Sequence, residues 1–182
     1  MFVPEAQWLR VEDERARYAH HDNVPSNEGY LRFLGEVADV VNGLVEPDRR
    51  ILDFGSGEQA VLSGLLQARG LQCTAYDPLY GQGNGALDDR YDVIVLCEVI
   101  EHLRQLRTEL VRLAGRLRPG GRLVVRTQCY PSLAELSSWW YARDPTHINF
   151  FAEPTLEHAA RICGLSWRPS AISDISVWSS SE

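Results

Sequence analysis

Residues 50–77 constrain this chain more than any other segment. Arg50-Ile51-Leu52-Asp53-Phe54 is a short apolar strand that runs straight into Gly55-Ser56-Gly57. A helix follows from Gln59 through Leu62, Leu65, Leu66 and Ala68, and Gly70 suits a left-handed C-cap. Residues 71–76 read as a second strand that ends at Asp77-Pro78. Strand, tight turn, helix and strand within about 30 residues form a βαβ unit, which sets the two strands parallel.

The rest of the chain extends this pattern. Tyr91 to Cys97 is the strongest strand. Val99, Ile100, Leu103, Leu106, Leu110, Leu113 and Leu117 predict one long amphipathic helix that stops at Pro119-Gly120-Gly121. A strand is expected over 122–128, a short helix over 133–141 and a helix over 154–163, with Pro154 in its first turn. Residues 165–167 and 171–178 are expected to pair as a terminal hairpin. Ahead of the first strand, one helix is expected over 5 to about 20. A second is expected to begin near Ser26 and carry Tyr30, Phe33, Leu34, Val37, Val40 and Val41 on one face. Alternating strands and helices predict an α/β fold, doubly wound (Rossmann-like), with a mostly parallel sheet and a C-terminal antiparallel hairpin. Residues 1–182 are expected to form a single domain, with 1–45 as a helical lid and 50–178 as the core.

Composition removes several functions. The 182 residues suffice for one core without disulfide or metal staples. All 18 basic residues are Arg, so Schiff-base lysine chemistry and the phosphate-gripping lysine of a P-loop are both excluded. A net charge of −7 argues against a nucleic-acid partner. No run approaches the roughly 20 apolar residues of a membrane span, and the first residues lack the pattern of a secretory signal. The four cysteines are irregularly spaced with no C-x-x-C, so neither a disulfide framework nor a zinc cluster is expected. A cytoplasmic protein is the expectation.

In such sheets ligands gather at the carboxyl ends of the strands, where the winding direction switches. Asp53, Asp77, Cys97-Glu98 and Gln128 end the strands here. Read as G-x-G-x-x-A, the turn from Gly55 to Ala60 matches a dinucleotide fingerprint, with Asp77 near the spacing of a ribose-binding acid. Asp53 and Glu58, however, place negative charge where a pyrophosphate would lie. A nucleoside with a zwitterionic tail suits the turn better, and a dinucleotide-dependent oxidoreductase is the weaker alternative.

Four segments together carry a resemblance. ILDFGSG, TAYDP, YDVIVLCEVIEHL and LRPGGRLVVRT, spread over residues 51–127, resemble the motifs of class I S-adenosylmethionine-dependent methyltransferases. The resemblance implies S-adenosyl-L-methionine as cofactor, with Asp53, Gly55 and Gly57 bordering its methionine part and Asp77 accepting from both ribose hydroxyls. Cys97 and Glu98 would lie beside it, and Pro78 would flank the ribose or adenine. Gln59 replaces a third glycine of the motif. Only residues 78–90 separate Asp77 from the next strand, where the family usually fits a helix and a third strand, so that region is expected to be trimmed. Asp88 and Asp89 remain as candidate adenine contacts.

Two further segments, 18–30 and 139–151, resemble those of a small bacterial methyltransferase subgroup with a WWYxxDPTHxxFF-type block. Methyl transfer to a small molecule is implied, with O- or N-methylation favoured. His147 is the favoured base, against a structural role in an Asp-Pro-Thr turn. His21 and Tyr30 are further catalytic candidates. Trp139, Trp140, Tyr141 and Arg143 are expected to line the acceptor pocket by stacking, caging or pairing, and Arg126 is a candidate partner for an acceptor carboxylate. No metal is expected. Two alternatives stand beside this: a SAM-binding sensor or partner domain without turnover, and a metal-assisted site drawn from His21, Glu98, Glu101, His102, Asp144 and His147.

Overall fold

The computed structural model describes residues 1–18 and 24–180. Six strands form one sheet: β1 (Arg50–Phe54), β2 (Gln72–Tyr76), β3 (Tyr91–Cys97), β4 (Leu117–Arg126), β5 (Leu165–Pro169) and β6 (Ile175–Ser180). Their order is β2-β1-β3-β4-β6-β5. β2, β1, β3 and β4 run parallel, while β6 is antiparallel to both β4 and β5. The expected α/β architecture with a terminal antiparallel hairpin is therefore present. The segment between β2 and β3 is trimmed as expected, and holds only a single 3-10 turn at Ala86–Asp88.

Alternation along the strands builds two cores. Ile94 and Leu96 of β3 face one side, with Leu110 and Leu113 of α4 (Leu106–Ala114) and Leu156 and Ala160 of α5 (Glu153–Ile162). Val93 and Val95 face the other, with Leu34, Val37, Ala38 and Val41 of α2 (Glu28–Asn42) and Leu62 and Leu66 of α3 (Val61–Ala68). A strand buried on both faces needs this continuous apolar run. The chain leaves β1 toward β2, then crosses to β3 on the opposite side of β1, so the winding switches between β1 and β3.

Several expected elements differ. The long helix over 99–117 is broken: Ile100–His102 is a 3-10 turn, α4 begins only at Leu106, and Leu117 opens β4 opposite Tyr91. Glu98 stands in left-handed backbone at φ 54°, and this turns the chain off the end of β3 before any helix forms. The helix expected over 133–141 is absent, and only a 3-10 segment at Trp140–Arg143 appears. The N-terminal helix is shorter than expected, with α1 at Val11–Tyr18 after a 3-10 turn at Glu5–Gln7. The first residues run alongside 148–150 through Val3 N–H to Ile148 O and Phe150 N–H to Met1 O, both at 2.8 Å.

Candidate functional site

The turn after β1 and the ends of β2 and β3 make the crevice. Gly55 (φ 78°) and Gly57 (φ 69°) both occupy left-handed backbone, which an L side chain strains. They are not equivalent. A Cβ on Gly55 would stand 2.6 Å from Val99 Cγ2, whereas one on Gly57 would meet nothing within 4 Å. Gly55 serves packing, and Gly57 leaves open space at the turn. Gly57 N–H donates to Asp77 Oδ2 at 2.9 Å, and Leu79 N–H donates to Oδ1 at 2.9 Å. Both oxygens of the buried Asp77 are thereby oriented by backbone. Gln82 folds back over the turn: its amide donates to Glu58 O at 2.7 Å and its oxygen accepts from Ser56 Oγ at 3.1 Å.

Asp53 has a different environment from the one its place in the motif implies. It is 2% exposed, and Ser63 Oγ donates to its Oδ2 at 2.8 Å. Its carboxylate thus ties β1 to the first turn of α3, whose N-cap residue Ala60 offers no side-chain oxygen. Burial pushes its pKa up to about 6, against the pull of the Ser63 hydrogen bonds. Pro78 is exposed beside Asp77. Asp89 pairs with Arg50 at 2.6 Å, at the amino ends of β1 and β3, and is thus placed away from an adenine at the carboxyl ends.

Cys97 and Glu98 leave the end of β3. Burial raises the Cys97 thiol well above its ordinary range, so it is a neutral group. Burial, then neighbouring Glu101, pushes the Glu98 carboxyl upward, and Glu98 Oε1 is buried with no hydrogen-bond partner. Tyr30, in the first turn of α2, lies within electrostatic reach of Cys97, Asp53 and Glu98. Burial raises its phenol, so at neutral pH its hydroxyl keeps its proton and is a potential hydrogen-bond donor, not a base.

Beyond the ends of β3 and β4 lies a second polar centre. Glu101 is fully buried, accepting from Tyr141 Oη at 2.7 Å on Oε1 and from Thr127 Oγ1 at 3.1 Å on Oε2. His147 is buried, with Nδ1 2.7 Å from the Tyr141 carbonyl, and His102 Nδ1 lies 3.0 Å from the Thr146 carbonyl. A carbonyl only accepts, so each Nδ1 carries the proton and each Nε2 the lone pair of the neutral ring. Burial, then His102, lowers the His147 pKa and keeps it neutral. The ring of His147 packs on Tyr141 at 4.0 Å and on His102 at 4.7 Å.

The DPTH segment is the turn that presents His147. Asp144 Oδ1 accepts from Thr146 N–H (3.0 Å) and Oγ1 (2.6 Å), and Oδ2 accepts from Arg17 Nη2 at 3.1 Å. Burial favours its neutral form, but the Thr146 hydrogen bonds and Arg17 outweigh this and hold the carboxyl far below its usual range. Arg17 and Tyr18 bring α1 over this centre, with the Tyr18 ring 5.4 Å from His102. Arg15 of the same helix lies 5.6 Å above the Tyr80 ring, on the loop after β2.

The aromatic block divides. Trp139, Trp140 and Arg143 line a cleft of about 300 Å³ with Pro131, Glu135 and Ser138. Trp140 is 66% exposed. Tyr141, expected in the same pocket, is instead buried with its hydroxyl on Glu101. Arg126, a candidate for an acceptor carboxylate, is also buried. It donates to Asp174 Oδ2 (2.9 Å), Glu36 Oε2 (2.8 Å) and Phe33 O, and its guanidinium lies over the Phe33 ring. His21 lies outside the described residues. Ser63, Thr127 and Gln82 carried no sequence signal, because each acts through a partner distant along the chain.

A family model described as a methyltransferase domain matches residues 18–167. The ubiquinone biosynthesis O-methyltransferase of Rickettsia felis is 29% identical over 99 residues, which is 42% of this chain and 40% of that protein. The fold resembles an O-methyltransferase family protein from Burkholderia thailandensis, with a TM-score of 0.63 and 19% identity over 93% of this chain and 61% of that one. It also resembles the 1,6-didemethyltoxoflavin-N1-methyltransferase of the same organism, whose structure holds 1,6-didemethyltoxoflavin and S-adenosylhomocysteine. There the TM-score is 0.63 and the identity 15%, over 94% of this chain and 87% of that one. The chain therefore spans less than two thirds of the length of the first two of these relatives.

Proposed function

The chain belongs to the methyltransferase domain family, and we propose that it moves the methyl group of S-adenosylmethionine to an oxygen or nitrogen of a small-molecule acceptor. The pairing of Gly57 with Asp77 carries this function. It sets an oriented carboxylate beside an open glycine turn at the carboxyl ends of β1 and β2, next to the switch point where such sheets take nucleosides.

The residues present suit the cofactor. A carboxylate offers about four lone-pair sites. Gly57 and Leu79 use two of those on Asp77, which leaves two for a ribose diol. The space at Gly57 admits a ligand against the backbone, and the partnerless Glu98 Oε1 suits a cationic group at the end of β3. Bound there, S-adenosylmethionine supplies an electrophilic methyl on a positively charged sulfur.

Every other task falls to side chains. Trp139 and Trp140 offer flat faces to an acceptor, and Tyr30 donates a hydrogen bond near Glu98. Residues 1–45 act as the cover of the site, with α1 spanning from Asp144 to Tyr80. The polar centre at Glu101, His102 and His147 promotes the proton loss that a hydroxyl or amine acceptor must undergo. The 1,6-didemethyltoxoflavin held by one structural neighbour supports a small-molecule substrate. We place the activity in the cytoplasm, where the four free thiols remain reduced.

Calorimetry with S-adenosylhomocysteine and with NAD tests the cofactor. Saturable binding of the first and none of the second is expected, and the reverse overturns the proposal. Incubation of the chain with methyl-labelled S-adenosylmethionine and a metabolite extract tests turnover. Labelled small-molecule product is expected. Binding without product would make the chain a sensor.

A further inference from the structure

Three side chains from two distant segments converge beyond the ends of β3 and β4. One donor atom from each of Glu101, His102 and His147 lies within 4.8 Å of the others. His102 Nε2 is 3.8 Å from Glu101 Oε1. Ligand bonds of about 2.0–2.2 Å set the donors of a tetrahedral ion about 3.4 Å apart, so the set closes if each donor moves inward by less than about an ångström. We infer that Glu101, His102 and His147 bind a first-row divalent transition-metal ion.

Three observations beyond proximity support this. First, both histidines hold a backbone carbonyl with Nδ1–H, at Thr146 for His102 and at Tyr141 for His147, so each Nε2 carries the ring lone pair, and that of His102 is directed to within 3.8 Å of Glu101 Oε1. Metal-bound histidines show this same arrangement, because the outer hydrogen bond fixes ring and tautomer. Second, the carboxylate is oriented too, by Thr127 and Tyr141, which leaves lone pairs for an ion. Tyr141 supports two of the three ligands, one with its hydroxyl and one with its carbonyl. Third, Glu101 is fully buried, and among the described residues no guanidinium pairs with it. A buried carboxylate needs a compensating cation or protonation.

Two imidazoles and one carboxylate favour zinc, manganese or iron over magnesium, which prefers an all-oxygen shell. Three protein ligands leave positions open for a substrate oxygen. A hydroxyl held there would lose its proton to solvent more readily, and its oxygen would bond the methyl carbon as the carbon–sulfur bond breaks and S-adenosylhomocysteine leaves. That consequence rests on the proposed methyl transfer, whereas binding of the ion does not.

The test is elemental analysis of protein purified without chelator, followed by calorimetry of the stripped chain with zinc, manganese and magnesium chlorides. About one equivalent of ion per chain is expected, with magnesium the weakest. His102→Gln and Glu101→Gln should each weaken binding by about 100-fold or more, while Tyr141→Phe should cost about 10-fold. His158→Gln, on the exposed face of α5, should bind as the parent does. Thermal melts of each variant separate lost binding from lost folding. Absence of retained metal and of saturable heat overturns the site, as does undiminished binding by a folded His102→Gln variant. Magnesium binding as tight as manganese overturns the transition-metal assignment. A chain that binds metal but no S-adenosylhomocysteine would sink the methyl-transfer proposal and leave the metal site standing.

Discussion

Gly57 N–H donates to Asp77 Oδ2 at 2.9 Å, across 20 residues of sequence. This bond joins the turn after β1 to the end of β2, and together with the Leu79 bond it leaves two of about four lone-pair sites on Asp77 for a diol. Two hydrogen bonds to a charged group contribute about 3 kcal/mol or more together. Asp77→Ala is therefore expected to weaken S-adenosylhomocysteine binding by at least about 100-fold, measured by calorimetry. Full affinity in the variant would remove Asp77 from the ribose site.

The two glycines of the turn should respond differently. Gly55→Ala sets a Cβ against Val99 Cγ2 in left-handed backbone, so it should lower the melting temperature by several degrees. Adding Val99→Ala should recover part of that loss. Gly57→Ala adds a methyl to open space, at the cost of about 1–2 kcal/mol of backbone strain, and should weaken S-adenosylhomocysteine binding beyond its effect on melting. Equal behaviour of the two variants in both assays would contradict the division between packing and access.

The parallel core was legible because the signals are local. An apolar strand, a glycine pair and a 3.6-residue period lie within one stretch of chain, and the resemblance of the four motifs added the rest. The error over 99–117 shows the limit. Val99, Ile100 and Leu117 keep helical spacing, yet Val99 packs against Gly55, Ile100 follows the left-handed Glu98, and Leu117 pairs with Tyr91. Spacing reports that a residue is buried, but not which element buries it. Tyr141 fails similarly. In sequence it is the third member of an aromatic run, and its role is set by Glu101, 40 residues away. The same distance hid the convergence of Glu101, His102 and His147, which in sequence are only scattered ligand types.

Arg126 joins three parts of the chain: α2 through Glu36 and Phe33 O, β4 through its own backbone, and the loop before β6 through Asp174. Its side chain is only 5% exposed, and that of Asp174 12%. Removing one partner of a buried pair costs about 3–5 kcal/mol, and the more exposed Glu36 puts this case at the lower end. Arg126→Met should lower the urea midpoint by about 3 kcal/mol equivalent with an unchanged slope. A loss below about 1 kcal/mol, typical of a surface pair, would show that the clamp contributes little.

Asp53 should leave a pH signature on stability. Burial raises its pKa in the folded chain to about 6, against about 3.9 in an unfolded one. The folded state therefore holds this proton more tightly. The stabilisation is fully present below about pH 4 and is lost as pH rises through about 6. Two pKa units correspond to about 3 kcal/mol. Asp53→Asn keeps an oxygen for Ser63 and never ionises, so its urea midpoint relative to the parent should rise as pH goes from 4 to 7, by an amount approaching that figure. Titrations shared by both proteins cancel in the difference. A difference that stays flat across this range would mean that Asp53 ionises as an ordinary carboxylate and that its burial under α3 is without electrostatic cost.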